Sequence, residues 1–347
     1  MAYTATDKPN AHNSSVLYTG NGGTQSITGV GFQPDIVWIK TRSTATYHSL
    51  SDAASGTDIQ LGVNDANAAD AFTTAITAFG SDGFSLGSNG NTNTGSRTFV
   101  GWNWKAGTTS GIATNGSTTI TPSAYSFNQT TGISIIKYTG NSTSGAKIAH
   151  GLGVKPDVMI VKATNAAYEW PVYHSSLGAT KLIELQSTAA ASTSSVSWND
   201  TEPDSVNFTV QANNRTNTGS VYVGYMFAEK QGFSKFGSYT GNGSTDGTFV
   251  YTGFKPSWLM IKVTNSVDSW RLWDNKRNTF NPMDITLRPN TTDGDYTASA
   301  NNIDFLSNGF KLRTTSGGYN GSSDTIAYMA FAENPFVTST GVPACAR

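Results

Sequence analysis

The sequence predicts an all-β fold of three tandem β-sandwich repeat domains, jelly-roll-like in their short strands and turn-rich connections. Three observations predict it. A turn-and-strand motif occurs three times, as GFQPDIVWIK at 31–40, GVKPDVMIVK at 153–162 and GFKPSWLMIK at 253–262, with Gly, Pro and Lys in matching places. A repeat this regular states an architecture. Apolar residues alternate with a period of two in the segment that closes each copy, which is strand patterning. Asn-Gly and Ser-Gly turns separate short runs at the spacing of sandwiches and jelly rolls.

Each copy is built in one order. It opens on a Tyr-Thr-Gly turn, YTGNG at 18–22, YTGNS at 138–142 and YTGNG at 239–243, and the motif proline follows 16, 18 and 17 residues after the tyrosine. Past the motif lysine comes an aromatic or histidine cluster: YHSLSD at 47–52, WPVYH at 170–174, WRLWD at 270–274. A strand pair split by an Asn/Gly/Thr loop closes each copy, within 79–107, 206–229 and 303–333. In the closing strand Val100, Trp102 and Trp104 share one face, with Val223, Tyr225, Phe227 and Ala327, Met329, Phe331 in the equivalent places. These are core positions, each stabilising by roughly 1.5–3 kcal/mol when a large side chain is buried. The repeats therefore span 1–107, 131–231 and 232–347, with 108–130 a linker or loose strand rich in Gly and Thr. Helical periodicity is confined to ANAADAFTTAITAF at 66–79, where alanines and β-branched residues leave helix and strand both open.

Composition narrows the partners. Charged residues are 13 % of the chain and the net charge is −1, against roughly 25 % charged in an average soluble protein. Nucleic acid demands a basic face that this chain lacks, and no polybasic patch addresses a membrane. The first fifteen residues, MAYTATDKPNAHNSS, do not read as a secretory signal, and no run of about 18 apolar residues could span a bilayer. The single cysteine, Cys345, has no internal partner, so packing and sheet hydrogen bonds must hold the fold.

The stretches YTGNGGTQSITGVGFQPDIVWIK at 18–40, YHSSLGATKLIELQSTAA at 173–190, YVGYMFAE at 222–229 and ENPFVTSTGVPACAR at 333–347 resemble a family of repeat-containing virion structural, tail-fibre-like proteins of tailed bacteriophages, marine ones especially. The likeness covers essentially the whole chain; the terminal cysteine departs from the family's usual tail. It implies a non-enzymatic virion protein, folded in the host cytoplasm and exposed on the extracellular particle. The leading expectation is a tail fibre or receptor-binding component that meets host glycans. Its partners would be other virion proteins, with no nucleic acid, membrane or cofactor. A homo-oligomer is expected, a trimer being common among fibre proteins, although no heptad specifies one. The alternatives are a capsid decoration or head-fibre protein that clamps shell subunits and a surface-polysaccharide depolymerase.

Chemistry-bearing residues are few. Glycoside cleavage needs two carboxylates, and of Glu169, Glu184, Glu202, Glu229 and Glu333 only the last two occupy matching strand ends. No GxSxG, HExxH or P-loop occurs. His12, His48, His150 and His174 are too dispersed for zinc. DANAAD at 65–70 and DGD at 293–295 could offer calcium oxygen ligands, though turn chemistry explains them more cheaply, and no metal site is assigned.

The aromatic clusters supply the candidate ligand contacts. Counted from the motif lysine, the eighth residue is His48, Trp170 or Trp270, the eleventh Ser51, Tyr173 or Trp273, the twelfth Asp52, His174 or Asp274. Trp and Tyr beside polar partners give a sugar ring a stacking face and hydrogen bonds at its edge. Trp170, Tyr173, His174, Trp270, Trp273 and Asp274 are therefore the candidates, although core or inter-domain packing needs the same aromatics.

Overall fold

A computed structural model describes residues 4–57, 59–70 and 74–343. Among these residues the fold is all-β, its helical content limited to two four-residue helices and two short 3₁₀ turns. Each repeat forms a large antiparallel sheet from four equivalent strands. The opening strands are Asn13–Thr19, Ile133–Thr139 and Ser234–Thr240; the motif strands Ile36–Thr41, Val158–Ala163 and Phe254–Val263. The aromatic clusters form strands Ser49–Asp52, Pro171–His174 and Arg271–Asp274, and the closing strands are Thr98–Trp104, Val221–Phe227 and Thr325–Pro335. In every repeat the order is opening, closing, motif, aromatic.

A smaller sheet covers one face of each. It comprises Gln25–Ile27, Ile76–Gly80 and Gly83–Leu86 in the first repeat, Ala146–Ala149 and Asn207–Val210 in the second, and Phe249–Tyr251, Ile303–Leu306 and Gly309–Leu312 in the third. The expected closing pair is thus not a hairpin. Gly83–Leu86 and its third-repeat counterpart Gly309–Leu312 stay in the small sheet, and the Asn/Gly/Thr loop carries the chain across to the large one. That crossing gives the motif strand two buried faces. Val37 and Ile39 enter the first repeat's own core while Ile36 and Trp38 point the other way. Met159 and Val161 alternate likewise with Val158 and Ile160, and Leu259 and Ile261 with Trp258 and Met260. A strand covered on both faces reads as a continuous apolar run, and so the motif is IVWI rather than an alternation.

The second face of all three large sheets meets in one central cluster. Trp102, Trp104, Tyr225, Phe227, Met329 and Phe331 of the closing strands lie in it together. The repeats are therefore fused face to face around a common axis. A void of about 30 Å³ at its centre is walled by Trp38, Trp104, Ile160, Trp258, Met260 and Phe331 among others.

The Tyr-Thr-Gly-Asn opener is explained by a clasp repeated three times. The side-chain amide of Asn93 donates to Asn21 Oδ1 at 3.0 Å, and Asn21 N–H returns a bond to Asn93 Oδ1 at 2.9 Å. Asn217 with Asn141 and Asn320 with Asn242 repeat the exchange. The opener's tyrosine hydroxyl donates to the carbonyl just before the clasping asparagine, Thr92, Thr216 or Tyr319, at 2.7 Å each time. Gly20, Gly140 and Gly241 have no alternative, since a Cβ there would collide with the backbone oxygen of Thr94, Thr218 or Gly321.

Two readings left open by the sequence are resolved. Within 66–79 the described residues form no helix; Ile76–Gly80 is a strand paired with Gly83–Leu86 across the Ser81-Asp82 turn, where a cross-strand ladder suits Ile76 and Phe79 better than a lone helix. Residues 71–73 lie outside the described set. Within 108–130, Ala124–Asn128 extends the second large sheet by pairing with the opening strand, so that part is sheet rather than linker. Cys345 lies outside the described residues.

Candidate functional site

The chemistry predicted from sequence converges on the three seams between repeats. Each motif lysine is fully buried and reaches a backbone carbonyl in the neighbouring repeat: Lys40 Nζ to Thr292 at 2.9 Å, Lys162 to Ala66 at 2.9 Å, Lys262 to Thr188 at 3.3 Å. The direction is cyclic, first repeat to third, second to first, third to second. The eighth residue past the lysine does the same. His48 Nε2 meets Arg288 O at 3.1 Å, Trp170 Nε1 donates to Asp65 O at 3.0 Å and Gly62 O at 3.2 Å, and Trp270 Nε1 donates to Glu184 O at 3.0 Å. Backbone bonds close each seam at lysine plus two: Ala69 N–H to Thr164 O, Ala191 to Thr264 and Asp295 to Arg42.

The twelfth position points round the ring the other way. Asp52 accepts from Tyr225 hydroxyl at 2.8 Å, and Asp274 from Trp102 Nε1 at 2.9 Å. The third repeat has Met329 where these donors stand, and a thioether cannot donate. There the partner is His174, whose Nε2 lies 3.1 Å from the Tyr328 carbonyl. The exchange of Asp for His follows from which partner is available. The eleventh position belongs to the repeats' own cores instead. Tyr173 donates to Glu202 at 2.6 Å, and Trp273 packs edge-on to Tyr319 with centroids 5.6 Å apart.

All six predicted ligand contacts, Trp170, Tyr173, His174, Trp270, Trp273 and Asp274, are thus at most 3 % exposed, and the structure divides them between seams and cores. No ring face among them is open to solvent. Glu229 and Glu333 line different clefts and each pairs with a lysine, Lys235 at 2.6 Å and Lys255 at 3.4 Å. DGD is spent on ion pairs: Asp295 holds Arg42 at 2.8 Å and Arg277 at 3.0 Å. The seam lysines and His48 were not among the sequence-derived candidates. Their signal was a cation in the same place in three apolar runs, where a buried charge needs a partner.

Burial fixes the electrostatics. It lowers Lys40, Lys162 and Lys262 to about 8, with carboxylates such as Asp293 near Lys40, Asp65 near Lys162 and Asp268 near Lys262 opposing the fall. Burial, and then Lys40, push His48 well below its usual value. Its Nδ1 accepts from Trp38 Nε1 at 3.0 Å, so it is the neutral tautomer that donates through Nε2.

The folded chain therefore binds fewer protons than the unfolded one between pH 8 and the ordinary lysine value, and stability rises with pH across that window. Urea unfolding at pH 7.5 and 9.5 is expected to show a gain on the order of 2 kcal/mol per seam lysine. The gain ends near pH 10, because Tyr18, Tyr138, Tyr225 and Tyr239 are raised well above 10 by burial and ionise first in the unfolded chain. A flat profile from 7.5 to 9.5 would show that the lysines are not buried as charged groups.

Fold and seams together define an all-β protein whose three repeats are closed on one another through a shared apolar centre and a cyclic set of polar contacts. The chain belongs to the family described as a domain of unknown function (DUF7483), which matches residues 8–335. No curated protein and no solved structure matches it.

Proposed function

We propose that the protein is a non-enzymatic structural component of a bacteriophage virion, a tail fibre or receptor-binding component that turns a β-rich surface to host glycans. The supporting observation is the ring of seams, which closes the three repeats on one another and spends the motif aromatics on holding them together. Recognition then falls to the outer surface. Phe249 and Tyr251, 43 % and 54 % exposed, alternate onto one face of their strand. Tyr251 forms the lip of a cleft of about 250 Å³ whose other walls include Glu229, Gln231, Ser234 and Lys235. An aromatic lip over a polar floor suits a pyranose ring. Other virion proteins are the partners in this reading. A homo-oligomer would form through the outer surfaces, since the faces around the central cluster are covered.

Immunogold labelling of intact particles tests the placement: label at the tail or its tip supports adhesion, whereas label over the head replaces it with the shell-clamping alternative. Tyr251→Ala is expected to abolish binding to host glycan with the melting temperature unchanged, because the ring is more than half exposed. Release of reducing sugar from host polysaccharide by the purified protein would overturn the non-enzymatic part.

A further inference from the structure

The second repeat carries its own cover along the side where its two sheets end. Residues 107–132, which contain no charged side chain, lie there. Ala124–Asn128 pairs with the outer edge of the opening strand, and the N–H groups of Thr119 and Ile120 donate to Lys147 O of the small sheet at 2.9 and 3.0 Å. Phe127 lies over Gly151, where a Cβ would stand 2.9 Å from its ring. Gln129 lies over Gly153 and donates to Gly151 O at 3.0 Å. Ser126 Oγ crosses to the first repeat, donating to Asp35 Oδ1 at 2.8 Å.

The first repeat has the same side, and no strand among the described residues covers it. Asn13–Thr19 is the last strand of its large sheet and Gln25–Ile27 of its small one. Gly20 N–H donates to Arg97 O and Lys105 N–H to His12 O, which continues the ladder with the closing strand. By antiparallel alternation Ser14, Val16 and Tyr18 bond to that strand, while the backbone groups of Ser15 and Leu17 point outward. Leu17 is 42 % exposed. Gly29 and Gly31 match Gly151 and Gly153 in the motif, yet a Cβ at Gly29 would meet nothing within 4 Å, and one at Gly31 only Asn10 O at 4.0 Å. Both glycines border a cleft of about 280 Å³ together with Asn13, Ser15, Ser257 and Asn275. Ser257 holds the motif position of Asp35. Asn275 is 7 % exposed, its side-chain amide has no hydrogen-bond partner among the described residues, and neither amide atom is shut off from solvent. The third repeat differs because Tyr251 replaces this first glycine, and its hydroxyl lies 3.6 Å from where a Cβ on Gly253 would be.

We propose that the outer edge of Asn13–Thr19 takes an extended segment of a separate polypeptide, uncharged and alternating aromatic with small polar side chains as Ala124–Asn128 does. In such strand addition the backbone ladder supplies affinity and pockets for alternate side chains supply selectivity. An aromatic ring would fill the space over Gly29 that Phe127 fills over Gly151. A Ser or Asn on the other face would meet Ser257 and the free amide of Asn275, as Ser126 meets Asp35. The segment would complete the first sandwich as residues 107–132 complete the second, and it would cover an edge that is otherwise a template for unspecific pairing.

The full-length protein is titrated into a fluorescein-labelled peptide of residues 122–131, PSAYSFNQTT, and hydrogen exchange is then followed by mass spectrometry with and without the unlabelled peptide. A saturable rise in anisotropy is expected, with slowed exchange in residues 13–19. Two changes are each expected to weaken binding by about 10-fold or more, the loss of a ladder bond together with the clash of a proline ring. One is Ser126→Pro in the peptide, which leaves the protein untouched. The other is Leu17→Pro in the protein, which removes an outward N–H from an edge strand, where proline is tolerated; its melting temperature should stay close to the parent's. No saturable binding at millimolar peptide, undiminished binding of the proline peptide, or protection confined to residues 234–240 would overturn the site. Self-association of the parent that Leu17→Pro abolishes would overturn the separate partner in favour of a second copy of this chain.

Discussion

Phe331→Ala is expected to destabilise the protein by about 3–5 kcal/mol, the range for emptying a buried aromatic position. Phe331 is the point where all three repeats touch. Its ring meets Trp104 of the first repeat edge-on at 5.8 Å between centroids, Phe227 of the second at 5.7 Å, and Trp258, Phe233 and Phe236 of the third stretch at 5.7, 5.8 and 5.7 Å. Edge-to-face pairs add to area burial by about 0.5–1.5 kcal/mol each, without simple additivity. The cavity would open beside the existing axial void, where three sheets held by their own seams have little freedom to collapse. Urea unfolding reads the loss. Amide exchange should show it in the closing strands of all three repeats; a loss confined to the third would mean that the repeats are energetically separate.

Arg277→Met is expected to cost about 3–5 kcal/mol at neutral pH, the usual penalty for removing one partner of a buried ion pair. Arg277 and Asp274 have no exposed side-chain surface, and Arg277 Nε donates to Asp274 Oδ2 at 2.6 Å. Burial alone would raise the Asp274 carboxyl, but the Arg277 charge and its hydrogen bonds outweigh it and hold the group below its ordinary value. Without the guanidinium, burial prevails and raises the carboxyl. A carboxyl raised in the folded state contributes stability at low pH that is lost as pH rises through its folded value. The variant's deficit should therefore grow from acid to neutral pH, whereas the parent gains there. The double variant Asp274→Asn with Arg277→Met should recover part of the loss, because no buried charge remains. A cost below about 1 kcal/mol at neutral pH for the single variant would refute this account of the pair.

How much of this was legible in the sequence depends on which face of a strand is considered. Period-two patterning in Val100-Trp102-Trp104 and its counterparts announced strands, and the thrice-written motif announced three like units. The same patterning could not say that Ile36 and Val37 face different cores, because an apolar run is silent about what covers each side. Trp170 and Trp270 looked equally suited to a sugar and to a seam, since both uses want a large ring with one polar edge. What separates them is the acceptor, Asp65 O or Glu184 O, which lies 105 and 86 residues away in the chain. The clasp of Asn21 by Asn93 escaped for the same reason: asparagines in a loop read as turn residues until the partner 72 positions away is known. By contrast, the strand Ala124–Asn128 was half visible as a loose strand, its Gly- and Thr-rich approach hiding that it joins a sheet.

The seam joining the third repeat to the first has a consequence for synthesis. Its bonds, Lys40 to Thr292 and Arg42 to Asp295, span 252 and 253 residues, so they cannot form until most of the chain has left the ribosome. Until then the first two repeats present Trp38, Trp102, Trp104, Tyr225 and Phe227 with no third sheet to cover them. Nascent and truncated chains are accordingly the aggregation-prone species of this protein, and the interval between emergence of the second repeat and arrival of the third is when a holdase chaperone would matter most.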